Sequence, residues 1–291
     1  MNDLNKAREN FIKKLKEEDK SQSTIVAYNK DIEQLSEYLL EEAVVNTQDI
    51  KIEHLKGFTE ELAEKGYTKK SISRKINAIR TYISFLFEEG DVSVDISDQL
   101  KHPKIQPKAP RILSKLEYRA LRDASRRNVR TYSMIEVLLQ TGITISELSG
   151  IELDHVHVEN GLGTLFIPAR GSKDSRTVPL NEAAVGAIKE YLNEKRPTMD
   201  GAEHLFITKT GNPMLVRNIR STINRAFKRA GVEDATVNDI RHTFAAHHLE
   251  NGLSIIKLSK ILGHKRVSTT ERYLDYVEKP EKTERTEISV L

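Results

Sequence analysis

The sequence contains no cysteine. That excludes disulfides, thiolate nucleophiles and cysteine-ligated zinc as sources of stability or chemistry. It contains no run of 18 apolar residues, so no membrane-spanning helix is expected. The opening Met1-Asn-Asp-Leu lacks the apolar core of a secretory signal, and the expected compartment is the cytoplasm. Charge of one sign is also scarce overall, at a net +3, which by itself names no partner. What remains is a chain of 291 residues, 38% hydrophobic and 31% charged, long enough for one large domain or two ordinary ones.

The charge is unevenly spread. Residues 101–130 hold ten Lys or Arg against Glu117 and Asp123, a local excess of +8. Lys101, Lys104, Lys108, Arg111, Arg126 and Arg127 belong to that run. Arg217 and Arg220, with basic residues at 225, 228 and 229, continue it. A run of like charge is commonly a solvated face. Its continuation further along the chain favours contact with a polyanion, and these eight named residues are the expected contacts.

Hydrophobic periodicity predicts four amphipathic helices in residues 1–100. Their inward positions are Leu4, Ala7, Phe11 and Leu15; Ile25, Tyr28, Ile32, Leu35 and Leu39; Ile52, Leu55, Phe58 and Leu62; and Ile72, Ile76, Ile79, Ile83 and Leu86. Short connections make these an antiparallel bundle. Residues 101–112 read as a basic linker, with Pro103, Pro107 and Pro110 and no periodicity. A second domain, 113–291, opens with the capping box Ser114-Lys-Leu-Glu117. Strands are expected at 163–168, 176–180 and 205–207, with a hairpin turn over 170–175. Helices are expected at about 131–140, after Asn181, through Ile219, Ile223 and Phe227, and from Asp239, Ser254 and about Thr269. The fold class is therefore mainly α with a small antiparallel β-sheet.

The chemistry-bearing text is ordered along this second domain. It runs Thr141-Gly-Ile-Thr-Ile-Ser-Glu-Leu148, the turn Arg170–Arg176 with Val178-Pro-Leu180, Ile240-Arg-His-Thr-Phe-Ala-Ala246, Leu262-Gly-His264 and Ser268-Thr-Thr-Glu-Arg-Tyr273. In this order and spacing the chain resembles the tyrosine recombinase family, close to its Xer-type and phage integrase branches. The resemblance covers nearly the whole chain. It implies a SAM-like helical core-binding domain that clamps DNA, then an α+β catalytic domain. It implies duplex DNA as partner, nucleoid association, and self-association from dimer to tetramer on DNA through the C-terminal segment Lys279–Leu291. Neither cofactor nor metal is implied.

The resemblance also assigns roles. Tyr273 matches the nucleophile, Arg241 the second arginine and His264 the histidine after Leu-Gly. A phenol with an ordinary pKa of about 10 is a poor nucleophile at neutral pH. Attack on a phosphodiester gathers charge on the non-bridging oxygens, which guanidinium forks stabilise well. A further group must protonate the leaving sugar oxygen. His242, His247 and His248 are expected to pack, or to support the reacting groups from behind, rather than react. In the hairpin turn the family has a lysine as acid; Arg170 aligns with it from the start of the turn, and Lys173 lies three residues on.

Two positions depart from the pattern. The family's first arginine is here Thr144, and the His or Lys three residues before the second arginine is Asn238. Neither carries charge. Three accounts follow: a DNA-binding relative that has lost cleavage; slow cleavage, or cleavage completed by an active recombinase partner; or a substitute arginine, such as Arg217 or Arg220, brought in by the fold. The implied function is a recombinase-like or integrase-like DNA-binding protein with impaired or lost strand cleavage. The alternative is an active site-specific recombinase forming a 3′-phosphotyrosyl intermediate through Tyr273.

Overall fold

Apolar side chains at three- and four-residue steps make the first part of the chain helical. A computed structural model of the protein describes residues 3–106, 108–159, 161–171 and 173–277. The chain divides into two units, Met1–Lys108 and Ala109–Leu291, so the division falls in the proline-rich stretch. Helices α1 (Leu4–Glu17), α2 (Gln22–Glu41), α3 (Ile52–Glu64) and α4 (Lys69–Glu88) build the first unit. Ser21 and Thr68 cap α2 and α4, their side chains accepting from the Thr24 and Ser71 amides at 3.2 Å. Helix α4 packs on the other three, and Ile79, Tyr82 and Leu86 sit at the centre of the core. Buried Asp31 in α2 is held by Arg74 and by equally buried Lys75, the latter at 2.8 Å. A buried carboxylate is tolerated only where it is paired in this way.

The second unit packs helices around a three-stranded sheet. Helices α5 (Lys115–Ser125), α6 (Val129–Thr141) and the short α7 (Ile145–Ser149) come first. Strands β1 (Val156–Glu159), β2 (Leu162–Ile167) and β3 (Arg176–Leu180) then form an antiparallel sheet in that order, with Ile167 opposite Arg176. Alternation sends Leu165, Ile167, Val178 and Leu180 into the core. Helix α8 (Glu182–Glu190) starts at Asn181, whose side chain accepts from the Ala184 amide at 3.1 Å. Helices α9 (Val216–Arg229), α10 (Val237–Glu250), α11 (Ile255–Leu262) and the single turn α12 (Ser268–Glu271) complete the unit.

Three local expectations change. Leu205–Ile207 is not a strand; isolated bridges at His204 and Ile207 tie it to Glu152 and Pro213, because its backbone groups pair with Ile151 and Met214 across irregular loops. Strand β1 was too short, at four residues, to stand out by alternation. The helix expected from Thr269 is only α12 followed by a 3₁₀ turn at Leu274–Tyr276, where Tyr273 N donates to Thr270 O and Tyr276 N to Tyr273 O. The segment Lys279–Leu291 lies outside the described residues. Among the described residues, no helix is long and apolar enough to cross a membrane.

Candidate active site

Three helix ends converge around Arg241. Helix α10 begins with Thr236, whose amide and hydroxyl both donate to Asp239 Oδ2, at 2.6 and 2.9 Å. Ile240, Phe244 and Ala245 face the core, which fixes the rotation of the helix and the direction of Arg241. Arg241 donates from Nη1 to the Gly142 carbonyl at 2.6 Å and from Nη2 to the Leu262 carbonyl at 2.7 Å. Those carbonyls belong to the ends of α6 and α11, each terminated by a left-handed glycine, Gly142 and Gly263. Burial pushes the Arg241 guanidinium below its usual range. It remains a cation at neutral pH.

His264 follows Gly263 and shares a 2.8 Å hydrogen bond between Nδ1 and the Thr270 hydroxyl. Burial lowers its pKa to about 4, helped by the charges of Arg241, Lys173 and Arg176. It is neutral at pH 7. Tyr273 is 2% exposed, and its hydroxyl lies 2.7 Å from His242 Nδ1. Burial raises the phenol and lowers His242, so a neutral phenol and a neutral imidazole share one proton. His242 therefore touches Tyr273 directly, in the supporting position that was one of its two expected places. The pair is 31 residues apart, and no local periodicity links such positions.

The opposite wall is built on Glu147. Thr144 is the N-cap of α7: its side chain accepts from the Glu147 amide at 3.3 Å, and its own amide donates to Glu147 Oε2 at 2.8 Å. Thr144 is thus occupied in capping. Arg176, at the start of β3, donates to both Glu147 oxygens, at 2.9 and 3.1 Å, and from Nε to the Ile261 carbonyl at 2.7 Å. Burial pushes the Glu147 carboxyl up. The bonds from Arg176 and the Thr144 amide and the charges of Arg176 and Lys173 outweigh it and hold the carboxyl at about 2.

The hairpin turn separates its two candidates. Arg170 and Lys173 exchange backbone hydrogen bonds of 3.0 and 3.2 Å across the turn. Lys173 Nζ then reaches Glu147 Oε1 at 3.5 Å, whereas Arg170 Nη1 donates to the Ser146 carbonyl at 3.1 Å. Asn238 is exposed in the first turn of α10. Arg217 and Arg220 lie on the exposed face of α9 with Lys228, and among the described residues neither contacts Glu147, Arg241 or Tyr273. The guanidinium that sits against Glu147 is that of Arg176. Arg176 was expected at the end of the motif-bearing turn and the start of a strand, with no chemical role of its own.

The expected polyanion contacts are scattered in their availability. Lys101, Lys104, Lys108 and Arg127 are exposed. Arg111 pairs with Glu117 at 2.7 Å and with the Glu233 carbonyl, and Arg126 stacks 4.0 Å over the Tyr132 ring. Arg122 is consumed by buried Glu136. Arg127, Arg130, Arg225 and Arg229 line an open cavity of about 760 Å³, and Arg225 also lines a second of about 420 Å³ with Arg217, Arg220 and Lys228.

Similarity to known proteins follows the same division of the chain. The model of the phage integrase family matches residues 111–279, and that of the phage integrase N-terminal SAM-like domain matches residues 9–90. Tyrosine recombinase XerD of Staphylococcus aureus is 31% identical over 261 residues, which cover 87% of this chain and 88% of that protein. Tyrosine recombinase XerC of Staphylococcus epidermidis is 29% identical over 277 residues, covering 93% and 92%. The crystal structure of XerA recombinase aligns at 26% identity with a TM-score of 0.53, covering 93% of both chains. A lambda integrase dimer bound to a COC′ core site shares the fold at a TM-score of 0.74 and 15% identity, covering 99% of this chain and 100% of that one.

Proposed function

The chain belongs to the phage integrase family of tyrosine recombinases, and from that premise we propose that it binds duplex DNA in recombination or integration with impaired strand cleavage of its own. The observation that carries this reading is the composition of one buried cluster. Tyr273, Arg241, His264 and Lys173 are grouped around it, while Thr144 is spent on a helix cap and Asn238 cannot titrate.

The chemistry asked of the cluster is a transesterification. The Tyr273 oxygen attacks phosphorus, the bond from phosphorus to the 5′-oxygen breaks, and a 3′-phosphotyrosyl ester forms. The phenolic proton leaves and one proton is delivered to the 5′-oxygen, so no energy source is needed and the reverse step reseals the strand. Arg241 stabilises charge on the non-bridging oxygens. Lys173, half-buried at the turn, is the proton donor, since arginine hardly gives up its proton. Tyr273 begins buried and neutral, and so is a weak nucleophile until DNA and the cations reach it.

DNA affinity is less damaged than cleavage. It comes mainly from many Lys and Arg contacts to backbone phosphates. The grooves lined by Arg127, Arg130, Arg217, Arg220, Arg225, Lys228 and Arg229, with the lysines of the linker 101–112, supply them. As in the DNA-bound dimer of lambda integrase, copies assemble on the duplex, or one copy joins an active recombinase that completes the site. The work is done in the cytoplasm, at the nucleoid. The test is covalent capture on a duplex selected for binding and nicked near the cleavage point, so that the freed end diffuses away. Slow adduct formation that Tyr273→Phe abolishes is expected; an adduct that survives Tyr273→Phe contradicts the reading.

A further inference from the structure

A family arginine is missing at position 144, yet a guanidinium stands at the place such a side chain would serve. Arg176 enters from β3 rather than from the start of α7. Three of its five N–H donors are accounted for: Nε by the Ile261 carbonyl, and one each of Nη1 and Nη2 by the Glu147 carboxylate. Among the described residues the other two meet no protein acceptor. Arg241 donates to the next carbonyl along, Leu262, so the two guanidinium groups lie on consecutive carbonyls at the end of α11. Gly263 makes this approach possible. A Cβ at that position would stand 2.8 Å from Arg176 Nη1 and 2.9 Å from Cζ.

The local charge balance points the same way. Arg176, Arg241 and Lys173 surround a single carboxylate, Glu147, and His264 is neutral. The surplus is two positive charges, and that of Arg241 also acts on the Tyr273 phenol. A buried structural ion pair needs one cation per anion. A site built for a phosphodiester anion needs the surplus.

We propose that Arg176 is a catalytic residue that takes the place of the arginine absent at position 144, binding the scissile phosphate beside Arg241 while Glu147 fixes its plane. This rests on the reading of Tyr273 as a slow nucleophile. It explains how a phosphate is still held with Thr144 in place: the clamp is rebuilt in part from the neighbouring strand, and the deficit that remains is shared by positions 144 and 238.

Arg176→Lys and Arg176→Ala test the assignment on two versions of the nicked duplex. One carries an ordinary scissile phosphate; the other carries a methylphosphonate, in which a methyl group replaces a charged non-bridging oxygen. On ordinary DNA, cleavage by both variants is expected to fall by about 100-fold or more while DNA affinity stays within a few-fold. On methylphosphonate DNA the gap to the unmodified protein is expected to close to under about 10-fold, because the charge that Arg176 stabilises is gone. A merely structural arginine gives the same gap on both substrates, and that result overturns the assignment. So does wild-type cleavage by Arg176→Lys, which keeps a cation beside Glu147 and decides the matter if Arg176→Ala does not fold. If the unmodified protein cleaves neither substrate, the reading of Tyr273 falls first and the assignment with it.

Discussion

Replacing Glu147 by Gln removes the charge that organises one wall of the site while keeping its shape. The side chain is 8% exposed and receives both terminal nitrogens of Arg176 and the Thr144 amide. A carboxyl whose pKa drops from 4.5 to about 2 on folding contributes about 3 kcal/mol at neutral pH. Breaking a buried ion pair from one side costs about 3–5 kcal/mol, so two independent routes agree. For a unit of this size that is a fall of roughly 6–12 °C in the melting temperature. The contribution is fully present above pH 4.5 and is lost as pH falls through 4.5 toward about 2. The difference between the two proteins should therefore shrink to about 2 kcal/mol by pH 3.5. Scanning calorimetry of both full-length proteins, from pH 7 to pH 3.5, reads it in the transition of the second unit. Buried histidines weaken both proteins equally in acid and cancel in the comparison. A loss under about 2 °C at pH 7, or a loss independent of pH, refutes the account of Glu147.

Gly142→Ala places a side chain where φ is +63° and where its Cβ overlaps the Phe244 ring. A loss of about 3 kcal/mol is expected by denaturant titration, with Arg241 displaced from the Gly142 carbonyl. His264 should titrate near pH 4 in the free protein by NMR and rise when duplex DNA binds, since a phosphate opposes the cations that depress it. Affinity for duplex DNA should fall by about 1,000-fold between 50 and 200 mM salt by fluorescence anisotropy, and binding that stays flat excludes a phosphate-tracking interface.

Much of the fold was legible because its signals are local. Leu4 to Leu15 and Ile72 to Leu86 recur at helical spacing, and all six capping side chains named above lie within three residues of the amides they accept from or exchange with. Tyr273, Arg241 and His264 were legible because motif order marks them. Arg176 was not: its importance comes from Glu147, 29 residues earlier, and from Ile261, 85 residues later. The partner of His242 was not legible for the same reason. Adjacent positions on a helix point in different directions, so reading Arg241 says nothing of its neighbour's partner. Arg170 and Lys173 both reach α7, and which of them meets the Glu147 carboxylate rather than the Ser146 carbonyl is not encoded in composition.

The central claim is that the site keeps its nucleophile but lacks charge and proton-transfer capacity at two positions. Its most direct test is the rate of covalent capture by the unmodified protein against that by the Thr144→Arg, Asn238→His double variant, on the same selected, nicked duplex. The account predicts slow capture by the unmodified protein and a rise of about 100-fold or more in the variant, with Tyr273 carrying the adduct in both. Capture at the same rate by the two proteins contradicts it.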